Sequence, residues 1–310
     1  AFLISLGGLA FNIGNIGGAS MGLNIVFGID TTTAAAISGI LGILLFASPK
    51  MGGVLDNTAK VLGTVMLVLI GYVAFSTNPP VAEAATHAIV PTNYPWLATI
   101  TLIGGTVGGY ITFSGGHRLI DAGITGREHL KDVRRAAFMG MSVDAIVRIL
   151  LFLAVLGVVS MGFALDPKDP AGSAFLLGAG EIGHKLFGIV FFCAALTSVV
   201  GAAYTSVSFL KTLFKVVERY EKLTIMAFIF VSTCILIFIG KPATLLIVAG
   251  SVNGLILPVT LAVMLLATRK TNIVGDYKHN PILFYTGWIV VLVTAYIGVT
   301  SLQGIAKLLG

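Results

Sequence analysis

Nine apolar stretches recur along the chain, at roughly 2–27, 32–48, 58–77, 95–121, 138–163, 184–210, 223–240, 243–267 and 282–306. A helix needs about 20 residues to cross a hydrocarbon core of about 30 Å, and these stretches approach or exceed that length. The expected fold class is therefore all-α and integral to the membrane, with about nine spans present, organised as one transmembrane domain over residues 1–310. Composition agrees. Of 310 residues 56% are hydrophobic and only 10% charged, too little charge to cover a soluble domain of that size.

The net charge of +6 does not point to nucleic acid, because the basic residues fall mostly in short loops. Sorted by alternate loops, Lys50, Lys60, Arg118, Arg127, Lys131, Arg134, Arg135, Lys211, Lys215, Arg219, Lys222, Arg269, Lys270 and Lys278 share one side. The other side holds Lys168, Lys185, Lys241 and Lys307. The positive-inside rule places the loops after the second, fourth, sixth and eighth spans in the cytoplasm of a multi-pass plasma-membrane protein. Arg148 lies one turn past Asp144 within the fifth span, the spacing of an ion pair on one helix face. Cys193 and Cys234 both sit inside apolar runs and support neither a disulfide nor a thiolate cluster. The sequence opens at Ala1 directly in an apolar segment, without the charged region and cleavage site of a signal peptide, so an incomplete N-terminus is expected.

Polar residues inside the spans carry the functional question. The fourth stretch is interrupted by GGTVGGYITFSGGH, Gly104 to His117. Broken backbone is tolerated at membrane depth only where it faces protein or a wet cavity, and discontinuous helices expose carbonyls and helix ends to an ion or substrate. Thr112, Ser114, Gly115, Gly116 and His117 are the candidate binding residues of this break. Gly104 and Gly108 also form a G-x-x-x-G, which equally fits close helix packing. Asn12 and Asn15, three apart on one helix face, fit either interhelical hydrogen bonding or a pore lining. The sixth stretch carries LTSVVGAAYTSVS, small hydroxyl residues that read first as packing. AGSVNG, Ala249 to Gly254, precedes Pro258 and is a further candidate for unwinding, with Ser251 and Asn253 as candidate binding residues. No phosphate-binding loop, H-E-x-x-H or Cys-x-x-Cys occurs. The single G-x-S-x-G around Ser20 lies within an apolar span instead of at a strand-to-helix turn, so no enzyme is indicated.

The order and spacing of these motifs resemble the NRAMP divalent-metal transporter family, specifically its magnesium-transporting branch. NIGNIGGASMGLNIVFG is similar to the family's third helix, GTVGGYITFSGGH to its broken sixth, ALTSVVGAAYTS to its eighth and LIVAGSVNGLILP to its tenth. The resemblance implies a leucine-transporter-like fold of two inverted repeats, with helices three to eleven present and one and two, including the D-P-G-N ligands, missing. It also implies a divalent cation as substrate, no cofactor, and partners limited to that cation and the lipid bilayer; oligomeric state is left open. Setting His117 on the family's motif histidine puts Gly115 at the metal-binding methionine, Gly116 at the proline, and Thr112 at the residue whose carbonyl binds the ion. The metal residues of this chain would then be Thr112 and Gly115. Asn12 and Asn15 fall on the two acidic positions of the proton route, and the seventh stretch lacks that route's arginines. These departures imply a hydrated hard cation, Mg²⁺ ahead of Mn²⁺, moved by alternating access without proton coupling. Two alternatives fit the same degenerate motifs: a transporter of a small organic solute and a non-transporting membrane sensor.

Overall fold

The structure, a computed structural model, describes residues 1–109, 115–116, 119–120, 122–126 and 128–309, and the backbone alone for 49–56, 59, 305 and 308–309. Among these residues it is helical, with no strand. The elements are α1 (Phe2–Phe27), α2 (Thr31–Ala47), α3 (Pro49–Ser76), α4 (Val81–Ile89), α5 (Trp96–Val107) and α6 (Leu130–Ser160). They are followed by α7 (Pro170–Lys211), α8 (Lys215–Arg219), α9 (Glu221–Ile239), α10 (Pro242–Ala267), α11 (Thr271–Val274) and α12 (Pro281–Leu309). Six of these helices are long and apolar enough to cross a membrane, and α2 and α5 are shorter apolar helices. A seventh span is counted if Lys60–Ser76 and α4, bent by 102°, are taken together. Each apolar stretch read from the sequence thus contains a helix, the fourth one α5 over Trp96–Val107.

The differences lie at the ends. Helix α6 begins at Leu130, eight residues before its apolar stretch, because the basic turn around Lys131 to Arg135 continues the helix. At 31 residues it is roughly 46 Å long, more than the hydrocarbon core requires. Helix α7 begins at Pro170, where the Asp169 carboxylate accepts the Gly172 N–H. It is interrupted at Gly180, whose φ of 67° and ψ of −170° suit a residue without a Cβ. Periodicity alone does not reveal the early turns, since a polar loop and a helix start share Asp, Pro and Gly.

The chain divides into two compact units. The first comprises Ala1–Asn15, Pro95–Asp121 and Gly201–Gly310. Here α10 packs against both α5 and α12. Its buried residues include Ala249, Gly250, Ser251, Asn253, Gly254, Leu257, Pro258 and Thr260, so its middle, from Ala249 to Pro258, is enclosed while its C-terminal turns are partly exposed. Trp96 meets Tyr296 edge to face at 5.7 Å.

The second unit comprises Ile16–Tyr94 and Ala122–Val200. Its core gathers Ile70, Val73, Val158, Phe175 and Phe187, with Phe187 stacked between Phe175 at 4.6 Å and Phe191 at 5.3 Å. The second half of α1 meets α7 through glycine: a Cβ at Gly22 would collide with the Gly188 carbonyl and the Phe192 N–H. Ser20 is fully buried and gives its hydroxyl hydrogen to the Gly17 carbonyl at 2.7 Å. The Gly18 to Gly22 motif is therefore a packing surface. Asn24 donates to the Ile29 carbonyl at 2.7 Å and shapes the turn out of α1. Asp30 then caps α2 by accepting from the Thr32 and Thr33 N–H groups. Hydrogen bonds from Thr33, side chain first, hold its carboxyl below the usual range, so the cap is retained above the ordinary carboxylate pKa and lost as pH falls through the lowered one. On α6, Arg148 Nε donates to Asp144 Oδ2 at 2.8 Å, the intrahelical ion pair expected from the spacing.

Backbone contact at Gly22 leaves no room for a side chain. Gly22→Val is expected to lower the thermal unfolding midpoint of the detergent-solubilised protein by several degrees, by overpacking of roughly 1–3 kcal/mol. Gly63→Val, at a position with no described residue within 4 Å, is expected to leave it unchanged within about a degree. Equal shifts for the two would contradict the packing described.

Candidate functional site

The candidate site is built in the first unit, from α5, α10 and the first half of α1. Helix α5 has 12 residues, roughly 18 Å, too short to cross the membrane. It stops at Gly108, which turns to φ −54°, ψ 159°, so the fourth apolar stretch breaks within the glycine run as its sequence suggests. A helix end leaves its last four carbonyls without intrahelical donors. Inside a bilayer these need partners that are protein, water or ion.

Glycine also sets how closely the break approaches α10. A Cβ at Gly104 would collide with the Gly250 carbonyl and the Gly254 N–H, one at Gly108 with Asn253 Cβ, and one at Gly109 with Ile256. The G-x-x-x-G of Gly104 and Gly108 is thus a packing surface, and the same contact carries Asn253 to the broken end. Beside it, Thr101 Oγ1 and Ser251 Oγ lie 2.8 Å apart. Each hydroxyl also reaches the carbonyl one turn back, Thr101 to Leu97 and Ser251 to Ile247. Two hydrogens serve three contacts, so the pair pins α5 to α10 and is already satisfied.

The expected unwinding of Ala249 to Gly254 is not observed. Helix α10 runs unbroken from Pro242 to Ala267, with Pro258 inside it. The proline leaves the Gly254 carbonyl without its intrahelical donor, but tight packing on both sides keeps the backbone helical. Asn253 is fully buried. Its Nδ2 donates to the Gly7 carbonyl of α1 and to the Ala249 carbonyl, both at 3.1 Å, while its Oδ1 is buried without a partner among the described residues.

Asn12 repeats the arrangement. It is fully buried, donates from Nδ2 to Ser232 Oγ of α9 at 3.1 Å, and buries Oδ1 without a partner among the described residues. Asn15 Nδ2 is likewise buried without a partner among the described residues. Asn12 stands roughly 7.5 Å along α1 from Gly7, where Asn253 docks. Of the other candidates, Gly115 and Gly116 are helical and exposed, with no described residue within 4 Å of a Cβ built on either. Thr112, Ser114 and His117 lie outside the described residues. Among the described residues no group of three or more His, Cys, Asp or Glu comes together.

Sequence reasoning missed Ser232 and Thr101. Ser232 belongs to the buried stripe Ile225, Ile229, Ser232, Thr233 and Leu236, whose helical spacing carries two hydroxyls toward protein. That spacing was the available signal.

Comparison with known proteins places this architecture. The sequence model of the Nramp family, natural resistance-associated macrophage protein-like, matches residues 1–303. The chain belongs to the Nramp family. Two relatives are half identical: an uncharacterized membrane protein of Haemophilus influenzae and the uncharacterized membrane protein YcsG of Bacillus subtilis. The first is 51% identical over 95% of this chain and 74% of its own length, the second 50% over 97% and 75%. Among solved structures, the Eremococcus coleocola manganese transporter with a bound aromatic bis-isothiourea compound superposes with a TM-score of 0.68. It is 16% identical, over 99% of this chain and 70% of that one. A mutant form of the same transporter gives a TM-score of 0.66. The fold is therefore that of an Nramp transporter, all-α and leucine-transporter-like, and members of the Nramp family are transporters and not enzymes. The metal in such proteins is cargo and no cofactor is needed.

The two buried polar residues of α10 predict different costs. Asn253→Ala removes the bonds to Gly7 and Ala249 and is expected to destabilise by roughly 1–3 kcal/mol. Ser251→Ala leaves Thr101 its own carbonyl acceptor and is expected to cost less than about 1 kcal/mol. Thermal unfolding in detergent checks the order, and a larger loss for Ser251→Ala would contradict it.

Proposed function

We propose that the protein moves a hydrated hard divalent cation, Mg²⁺ in preference to Mn²⁺, across the plasma membrane by alternating access around the broken fourth apolar stretch, without carrying protons. Membership in the Nramp family supports divalent metal transport. The observation that carries the finer reading is Asn253 Oδ1, a buried oxygen acceptor with no partner among the described residues, held beside the Gly108 break. Mg²⁺ takes oxygen ligands and retains several waters, so it is bound through few protein groups.

The glycine at position 115 supports the same preference. The resemblance sets the family's metal-binding methionine there, and thioether sulfur selects soft transition metals. Gly115 has no sulfur, and among the described residues no neighbour lies within 4 Å of a Cβ built there, which is compatible with water at that position. Thr112, by its carbonyl, and Gly115 are the proposed metal residues. Ser114, Gly116, His117, Ser251 and Asn253 line the binding region.

Asn12 and Asn15 support the absence of proton coupling. An amide does not take up and release a proton near neutral pH, and Asn12 is bound instead to Ser232. Flux is then driven by the ion gradient and by the membrane potential, worth about 4.6 kcal/mol per 100 mV for a divalent cation. The charge sorting of the loops places the inward-facing end on the Lys- and Arg-rich side.

Two measurements test this reading. In liposomes with Mg²⁺ outside, an internal Mg²⁺ indicator is expected to report entry above empty vesicles while a pH dye reports no acidification. No entry, or entry with acidification, overturns it. Gly115→Met is expected to tighten Cd²⁺ binding, relative to Mg²⁺, on the order of tenfold or more in calorimetry. An unchanged ratio would remove position 115 from the ion site.

A further inference from the structure

Where α10 leaves its apolar run and α12 begins, the first unit has a cavity of about 250 Å³ lined by Thr268, Arg269, Tyr277, Lys278, His279, Pro281 and Phe284. Three of these side chains are basic or become so on protonation, and among the described residues none of the lining side chains is acidic. The volume is below the roughly 300–1,000 Å³ of pockets for drug-sized ligands and suits a compact group.

The cavity is held in shape by its own contacts. The Arg269 guanidinium sits 4.2 Å from the centre of the Phe284 ring, a stacked geometry that fixes its plane and leaves its N–H edge to bind. Gly275, at φ 58°, turns the chain after α11, and Tyr277, Lys278 and His279 follow it. The Tyr277 hydroxyl and His279 Nδ1 are 3.1 Å apart. With the phenol donating, the imidazole carries its hydrogen on Nε2, another donor. Arginine, lysine, imidazole and hydroxyl donors without an opposing carboxylate form a set that fits phosphate oxygens.

Its level in the membrane points the same way. Phe284 touches Tyr285 and Trp288 edge to face at 5.7 and 6.4 Å, and Tyr and Trp gather at the membrane–water boundary. Ile282, Leu283 and Tyr285, beside the cavity, are 72%, 59% and 64% exposed, as expected of a surface against lipid. Lipid phosphates lie just outside that boundary, and basic pockets between helices at this depth bind anionic headgroups.

We propose that this cavity binds a phosphate group at the membrane surface, with Arg269 and Lys278 as its charged contacts. The test uses the protein in nanodiscs of phosphatidylcholine with a minority of phosphatidylglycerol, and native mass spectrometry to read which lipid stays bound after release. Phosphatidylglycerol is expected to be retained over phosphatidylcholine, and Lys278→Gln or Arg269→Gln to reduce that preference about fivefold each. Lys278 is exposed, so its replacement keeps the fold even if Arg269→Gln disturbs Phe284. Lys168→Gln, an equal charge change in the other unit, is expected to leave the preference intact.

A second arm adds inorganic phosphate to the protein in detergent. A rise in thermal midpoint that Lys278→Gln abolishes would support the same cavity and make free phosphate its source. Equal retention of the two lipids with no phosphate effect, or an equal loss on Lys168→Gln, overturns the proposal.

Discussion

The approach of α5 to α10 through glycine is the contact on which the first unit depends. Gly104, Gly250 and Gly254 let two backbones come within reach of each other, a spacing that bilayer helices reach through small residues. That closeness brings Thr101 to Ser251 and Asn253 to the end of α5. A single side chain at Gly104 would push the helices apart and remove the polar contacts together. The break at Gly108 and the Asn253 oxygen, unpartnered among the described residues, are therefore parts of one arrangement.

A bilayer core offers no water, so every buried polar atom must be accounted for. Most hydroxyls here are: Ser206, Thr233, Thr260 and Thr294 each donate to a carbonyl of their own helix. Asn12 and Asn253 are different, because each amide has spent its donor on a neighbouring helix and kept an oxygen back. Buried acceptors without partners are uncommon and costly. An oxygen left open beside a broken helix is what a hard cation with its waters would use. Asn15 leaves a donor instead, which suits a water and not the ion.

Much of this was legible in the sequence because hydropathy and glycine act locally. The spans followed from runs of apolar residues, the break from GGTVGGYITFSGGH, and the Asp144–Arg148 pair from a spacing of four. The rest depends on which helix lies opposite. Asn12 reads as polar in any context, but its partner Ser232 is 220 residues away. Pro258 after a small polar run looked like a site of unwinding, yet burial on both sides holds α10 helical through it. The bend of 102° between α3 and α4 and the break at Gly180 are invisible to hydropathy, although Asn78-Pro79-Pro80 and a glycine mark the two points. Thr112, Ser114 and His117 lie outside the described residues, so their part in the ion site rests on the family motif.

The central claim is that a cation rests at the Gly108 break against neutral oxygen. Anomalous diffraction from crystals soaked in Mn²⁺, a scatterer with the same oxygen preference as Mg²⁺, tests it most directly. The account predicts an anomalous peak beside Gly108 with Asn253 Oδ1 in its coordination or water shell, displaced by excess Mg²⁺. A peak confined to other sites at saturating Mn²⁺, or one at the break that Mg²⁺ does not displace, would contradict it.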